Sequence, residues 1–100
     1  MKKTIVIKVG TSTLTHDTGK PNFSRINALA QVLSDINNSG INVCLVSSGA
    51  ISVGRSKLNL INKTDSIAEK QACAAIGQCE LMHIYDRAFS DYATSIAQVL

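Results

Sequence analysis

Two short apolar segments, separated by one amphipathic segment, most constrain the fold of this chain. Residues 4–9 (TIVIKV) and 41–47 (INVCLVS) are nearly all apolar, which is typical of strands buried on both faces of a parallel sheet. Between them, apolar side chains recur at helical spacing from Ile26 to Ile36, after Ser24 as a candidate N-cap. A strand, a helix and a second strand in this order favour a parallel pair joined by a right-handed crossover.

The rest of the chain continues this alternation. Residues 10–23 are rich in Gly, Thr, Asp and Pro, so they are interpreted as a long loop in which a short extended piece can form. Gly40 is the expected left-handed residue at the end of the first helix. The pattern then predicts a helix over 48–59, a polar connection over 60–65, a helix over 66–92 that Gly77 kinks or divides in two, and the start of a third strand over 94–100. Beyond Gly77, the apolar stripe of Leu81, Tyr85, Phe89 and Tyr92 is expected to belong to the core or to a subunit interface.

This order of elements predicts an α/β fold, namely a three-layer α/β/α sandwich with a mainly parallel sheet. The chain has 100 residues, which allow one small domain at most. No internal repeat or domain boundary interrupts it. Because a parallel sheet that stops at a strand just begun leaves that strand without a partner, we expect the chain to be part of a longer protein.

Composition and charge exclude several classes of function. The net charge is only +3, and no basic run is interleaved with aromatic residues, so nucleic acid is not an expected partner. No apolar stretch approaches the roughly 20 residues of a membrane span. The apolar run after Lys3 is broken by Lys8 and is too short for a signal peptide. We therefore expect a cytoplasmic protein without a membrane partner.

Cysteine and histidine residues give little support for a metal site. Cys79 and His83 are spaced i, i+4 and could share a metal, but no third ligand lies nearby in the sequence, so a packing role is favoured. Cys44 lies in an apolar run and is expected to be a small buried side chain. His16 lies in a polar loop and is expected to be solvated. We predict no metal ligands in this chain.

Lys8 is the one charged residue within the first predicted strand. A buried ammonium group is costly unless it is paired, so either the strand ends there and Lys8 reaches water, or an anion lies at the strand's end. Ligands of open parallel sheets bind beyond the carboxyl ends of the strands. Both predicted strands end there in a turn that contains glycine, at Gly10 and at Gly49.

These two turns predict a site for phosphate and carboxylate groups. Glycine lets a backbone N–H approach an oxyanion closely, and the second turn leads into a helix N-terminus, which favours negative charge. Ser47 and Ser48 add hydroxyl donors. The chain contains neither G-x-x-x-x-G-K-[ST] nor G-x-G-x-x-G, so Walker-type ATPases and dinucleotide dehydrogenases are disfavoured. The residues by themselves predict an anion-binding α/β domain for phosphoryl transfer, although each feature also occurs as an ordinary turn, cap or solvated lysine.

Three motifs together resemble the amino acid kinase family. They are K-V-G-T-S-T-L-T over 8–15, S-S-G-A-I-S-V-G-R over 47–55, and K-Q-A-C-A-A-I-G-Q followed by L-M-x-x-Y over 70–85. They stand in the family's order, and the resemblance as a whole covers nearly all of the chain. Their form is similar to that of the members that phosphorylate the side-chain carboxylate of L-glutamate.

This resemblance implies a reaction and a set of roles. ATP and L-glutamate would give γ-glutamyl phosphate and ADP, with Mg²⁺, as the first step of proline biosynthesis, and the complete enzyme would be a homo-oligomer. The lysine would stabilise the transferring phosphoryl group, the first turn would hold the ATP phosphates, and the second turn would contact glutamate. The matching positions are Lys8 for the lysine, Gly10, Thr11 and Ser12 for the first turn, and Ser48, Gly49 and Ala50 for the second turn.

The resemblance also implies which part of the enzyme this is. Residues 1–100 would be the N-terminal part of one amino acid kinase domain, carrying the acceptor half and the first phosphate-binding turn, and would be inactive alone. It assigns no role to Arg55, Lys70 or Gln71. Two alternatives stay open: a non-catalytic binding or assembly module of the same fold, and a related kinase with another acceptor, such as acetylglutamate or a nucleoside monophosphate.

Overall fold

The computed structural model describes residues 2–59 and 66–99. Two strands pair in parallel, with Thr4 opposite Asn42 and Val9 opposite Ser47. The prediction of a parallel βαβ unit and of the α/β class is therefore confirmed. In chain order the elements are β1 (Thr4–Val9), α1 (Thr11–Leu14), α2 (Phe23–Asn38), β2 (Asn42–Ser47), α3 (Ala50–Lys57) and α4 (Ile67–Ser90).

Local signals determine where helix α2 begins and ends. Asn22 is the N-cap, and its side-chain oxygen accepts a hydrogen bond of 3.2 Å from the backbone N–H of Arg25. The prediction of Ser24 as the cap is wrong, because Ser24 already lies inside the first turn. At the other end, Gly40 has a φ of +102°, which confirms the predicted left-handed residue.

Only one face of the sheet is covered by the described helices. Val9 is buried, and Val43 and Leu45 are partly buried against the cluster formed with α2 and α4. On the opposite face, Val6 and Val46 are 67% and 43% exposed. The expectation that both strands are buried on both faces is therefore wrong for the described residues. The second helical layer of the expected sandwich is not among them either.

The same alternation of faces decides the environment of Cys44. The prediction of a buried side chain is wrong, because Cys44 is an even-numbered position of β2 and lies on the open face, where it is exposed. Cys73, in contrast, is fully buried in α4. The apolar run around Cys44 gave no indication of which face would be covered, since successive strand residues point to opposite faces.

The segment predicted as a loop over 10–23 contains some regular structure. Thr11–Leu14 forms one helical turn and not the short extended piece that the alternating residues allowed. This turn carries Leu14 into the core, where it is 1% exposed. Thr15 then pairs with Pro21 in an isolated antiparallel bridge. Between them, Gly19 lies against Ser52 of α3, so this loop covers part of that helix.

Helix α4 is the longest element, and it runs through Gly77 without dividing there. The predicted division is therefore wrong, and the packing of Gly77 described below explains why a glycine is accommodated inside this helix. The stripe of Leu81, Tyr85 and Phe89 is buried in the core, as expected for this spacing. None of the helices in the described ranges is long and apolar enough to span a membrane.

Residues 94–99 do not form the predicted third strand. Thr94 and Ile96 are half-buried while their neighbours are exposed, so the segment packs through alternate side chains but pairs with no strand. An extended segment becomes a strand only when its backbone groups pair with a neighbouring strand. Here the segment and β2 instead line a cleft of about 590 Å³. The predicted connection over 60–65 and the last position of the predicted strand, residue 100, lie outside the described residues.

Candidate functional site

The first turn, Gly10–Ser12, is open. Gly10 has an extended backbone, with φ of −88° and ψ of 168°, and precedes α1 directly. A Cβ atom built on Gly10 would meet no heavy atom within 4 Å, so the space beside this residue is free. The N–H groups of a first helical turn have no acceptor within their own helix. An oxyanion placed beside this turn would therefore find both room and donors.

The second turn, Ser48–Ala50, is tighter. Gly49 has a φ of +102°, a conformation that strongly favours glycine. Its carbonyl accepts the N–H of Val53 at 2.9 Å, so Gly49 caps α3 directly after β2 ends. This left-handed residue lets the chain pass from strand to helix within two residues and places the N-terminus of α3 at the carboxyl end of the sheet.

The structure brings the two turns into contact. The N–H of Ser48 donates to the carbonyl oxygen of Val9 at 3.1 Å. A Cβ atom built on Gly49 would lie 3.7 Å from the Cα of Thr11. Thr11, Ser48, Gly49 and Ala50 line one cleft of about 420 Å³ beyond the carboxyl ends of the strands. The ligands of this cleft stay a prediction.

Lys8 lies on the open face of the sheet. It is exposed and sits opposite Val46 of β2. The Lys8 side chain therefore reaches water, and its ammonium group is not buried. Of the four predicted phosphate-binding residues, Thr11 is the one that lines the cleft together with the second turn. The other three, Lys8, Gly10 and Ser12, do not line it.

Charged groups in this part of the molecule lie away from the cleft. Lys57 of α3 and Glu80 of α4 form an ion pair, and the hydrogen bond from Lys57 holds the pKa of Glu80 below its usual value. In residues 2–59 and 66–99, no three His, Cys, Asp or Glu side chains are grouped so that they could hold a metal ion. Cys79 and His83 therefore lack a third ligand there, and no described Asp or Glu side chain lines the cleft between the two turns.

Helix α4 touches the backbone of α3 directly behind the second turn. A Cβ atom at Gly77 would overlap the carbonyl oxygen of Ala50, and one at Gly54 would overlap the carbonyl oxygen of Cys73. Only glycine permits so close an approach. This contact was not predicted from the sequence. The available signal was a glycine inside each of two predicted helices, both within the three motifs.

Tyr85 ties α4 to the end of β2. Its hydroxyl lies 2.7 Å from Oγ of Ser47, and that oxygen lies 3.2 Å from the carbonyl oxygen of Ser48, to which it donates. Tyr85 is 4% exposed. Burial raises the pKa of its phenol, while the hydrogen bond with Ser47 acts in the opposite direction. From the sequence, Tyr85 was predicted only as part of the apolar stripe, although a hydroxyl at a core position calls for a polar partner.

The residues without an assigned role remain outside this cleft. Lys70 and Gln71 are exposed in the first turns of α4, and Arg55 is half-buried in α3. None of the three lines the cleft between the two turns. Their presence in the quoted motifs is not explained by any contact with that cleft.

A parallel α/β unit with two glycine turns meeting at the carboxyl ends of its strands has the edge at which open α/β folds bind their ligands. The chain belongs to the amino acid kinase family, whose model matches residues 3–100. It is similar to the glutamate 5-kinase of Clostridium perfringens, with 58% identity over 98 residues that cover 98% of this chain and 36% of the relative. The glutamate 5-kinase of Enterococcus faecalis is 54% identical over the same coverage, and that of Moorella thermoacetica is 53% identical over 96% of this chain and 25% of the relative. The chain thus spans about a third or less of the length of these relatives.

Proposed function

We propose that the protein containing this chain transfers the γ-phosphoryl group of ATP to the side-chain carboxylate of L-glutamate, in the cytoplasm and as a homo-oligomer. The product is γ-glutamyl phosphate, the first intermediate on the way to proline. The observation that carries the proposal is the contact of the two turns, with the Cβ position of Gly49 3.7 Å from Thr11. The similarity to glutamate 5-kinases supports the choice of substrates.

The chemistry requires positioning more than acid–base catalysis. The side-chain carboxylate of glutamate is already ionised at neutral pH, so its oxygen can attack the γ-phosphorus without a general base while ADP leaves. Negative charge spreads over the equatorial oxygens in the transition state, and preorganised donors stabilise it. A cleft lined by glycine, alanine, one isoleucine and hydroxyl side chains suits this role, because it offers donors without a titratable group.

In this proposal the two turns divide the substrates between them. Gly10, Thr11 and Ser12 hold the ATP phosphates with Lys8 at the rim, and Ser48, Gly49 and Ala50 hold the glutamate carboxylate. Residues 1–100 then form the N-terminal part of the kinase domain. A divalent cation such as Mg²⁺ would neutralise phosphate charge, and one or two carboxylates together with phosphate oxygens suffice to hold it. Among the described residues, no Asp or Glu side chain lines the cleft between the two turns.

Trapping the acylphosphate tests this proposal. The full-length protein is incubated with Mg-ATP, hydroxylamine and either L-glutamate or acetylglutamate, and hydroxamate is measured. We expect hydroxamate from L-glutamate and little from acetylglutamate. Equal yields would indicate another acceptor, and glutamate binding without hydroxamate would favour a non-catalytic module.

A variant of the second turn tests the assignment of glutamate to that turn. Ser48→Val removes a hydroxyl from the cleft, so we expect the KM for glutamate to rise more than the KM for ATP. Ser24→Val, at an exposed serine of α2, is the matched control and should leave both values unchanged. An unchanged KM for glutamate in Ser48→Val would contradict the assignment.

A further inference from the structure

We propose that Tyr85 is a positioning residue for the second turn: through Ser47, its hydroxyl orients the backbone of Ser48 and thereby the Gly49 N–H that faces the acceptor. This inference rests on the proposed function for the identity of the acceptor. It assigns a role to a buried side chain of α4 that does not itself line the cleft between the turns.

Counting protons gives the hydrogen bonds a direction. A serine hydroxyl carries one proton. If Ser47 donates it to the carbonyl oxygen of Ser48 at 3.2 Å, the 2.7 Å contact with Tyr85 must use the phenolic proton. In this proposal the chain of donors runs from Tyr85 to Ser47 to the carbonyl of Ser48.

The carbonyl of Ser48 belongs to the same peptide group as the N–H of Gly49. In a planar trans peptide these two groups point in opposite directions. Holding the carbonyl towards Oγ of Ser47 therefore turns the N–H of Gly49 away from that side chain. The N–H of Ser48 is held as well, by the carbonyl of Val9 at 3.1 Å, so the peptide groups on both sides of Ser48 are anchored.

Packing keeps the phenol in place. Tyr85 is 4% exposed, and its ring lies 6.3 Å from that of Phe89 between ring centroids, in a tilted arrangement. A hydroxyl on a packed ring is a fixed donor, whereas the same group on a mobile side chain would lose part of its hydrogen-bond energy to ordering. This separates Tyr85 from Tyr92, which is only half-buried and takes no part in the chain of donors.

Removal of the single hydroxyl in Tyr85→Phe tests the role in the full-length protein. We expect the KM for glutamate to rise about fivefold, which corresponds to about 1 kcal/mol, with kcat and the KM for ATP within about twofold of the wild type. Ser47→Ala should have the same effect, and the double variant should be no worse than either single variant, because both break one chain. Tyr92→Phe, the matched control, should change none of these constants.

Uniform changes in all three constants, or an unchanged KM for glutamate in Tyr85→Phe, would overturn the inference. Amide hydrogen exchange at residues 48–50 tests, independently of activity, whether Tyr85 holds the backbone of the second turn. Exchange there should be several-fold faster in Tyr85→Phe than in the wild type and in Tyr92→Phe, and unchanged exchange would overturn the inference. If the wild type makes no hydroxamate, the proposed function fails, and the exchange measurement still supports or overturns the role of Tyr85.

Discussion

The two glycine turns at the carboxyl ends of the strands differ in what holds them. Beside Gly10 there is open space, and the turn is braced from outside by an exposed hydrogen bond of 3.2 Å from Arg25 to the carbonyl of Ser12. The second turn has α4 directly behind it, with Gly77 against Ala50 and Tyr85 bonded to Ser47. The second turn is therefore preorganised by the fold, whereas the first leaves room that a ligand can fill.

The largest effect on stability is expected from adding one methyl group behind the second turn, where α4 packs against it. In Gly77→Ala the new Cβ would overlap the carbonyl oxygen of Ala50 and push α3 away from α4. We expect the free energy of unfolding to fall by about 3 kcal/mol, the upper part of the range for overpacking. Urea denaturation of the full-length protein measures this loss.

The same methyl group at the first turn is the matched control. Gly10→Ala meets no atom within 4 Å and keeps an allowed backbone conformation, so stability should stay within about 0.5 kcal/mol of the wild type. If the space beside Gly10 receives phosphate, the KM for ATP should nevertheless rise. Equal losses of stability in Gly10→Ala and Gly77→Ala would show that the two turns are held alike.

Removing the charge of Lys8 tests whether the first turn binds phosphate. Lys8→Met in the full-length protein should lower turnover by roughly 100-fold, or about 2.7 kcal/mol, because one charge contact to the phosphoryl group is lost. Stability should change by less than about 0.5 kcal/mol, because Lys8 is exposed. Lys3→Met, an exposed lysine before β1, serves as the control. Turnover of Lys8→Met within about threefold of the wild type would leave Lys8 as a solvated surface lysine.

Backbone strain at the second turn can be separated from its function. Gly49 and Gly40 both have a φ of +102°, so an alanine at either position should cost about 1–2 kcal/mol of stability. A Cβ atom at Gly49 would make only ordinary contacts with Thr11, and one at Gly40 would make none within 4 Å. Kinetics of Gly49→Ala should show a raised KM for glutamate, whereas Gly40→Ala should keep the wild-type value. A raised KM in both variants would assign the effect to stability alone.

The smallest effect is expected at the ion pair that joins α3 to α4 on the surface. Glu80→Gln should lower stability by about 0.3 kcal/mol, since exposed pairs are screened by water and salt. The hydrogen bond from Lys57 lowers the pKa of Glu80 below 4.5, so the stabilisation is complete above pH 4.5 and is lost as the pH falls through the native pKa. Unfolding at pH 7 and at pH 3 measures this difference. A loss of stability above about 1 kcal/mol, or an equal loss at pH 7 and at pH 3, would contradict a weak, screened ion pair.

Much of the fold could be predicted because its signals are local. The apolar runs and the helical spacing predicted both strands, α2 and α4, and Gly40 ends α2 as expected. The predicted cap of α2 was two residues away from the observed Asn22, because both residues can cap a helix and the choice depends on where the preceding loop enters. The one-turn helix α1 was not predicted, since four residues are too few for a periodic pattern.

The candidate site was predictable in part. Two glycine turns after parallel strands must lie at the same edge of the sheet, so their proximity could be predicted from their places in the sequence. The contribution of α4 to the site could not be predicted from the sequence. Gly77 looked like a weak point of a helix, and Tyr85 looked like one more apolar position, because neither residue shows in the sequence which distant backbone it meets.

The sequence by itself determined the order of strands and helices, the parallel pairing and the placement of two glycine turns at one edge, since these depend on neighbouring residues and on chain connectivity. Only the tertiary structure decided that Lys8 and Cys44 lie on an open face, that α4 continues through Gly77, and that residues 94–99 form no strand. The physical reason is that a strand position becomes buried, and an extended segment becomes a strand, only when another part of the molecule packs against it.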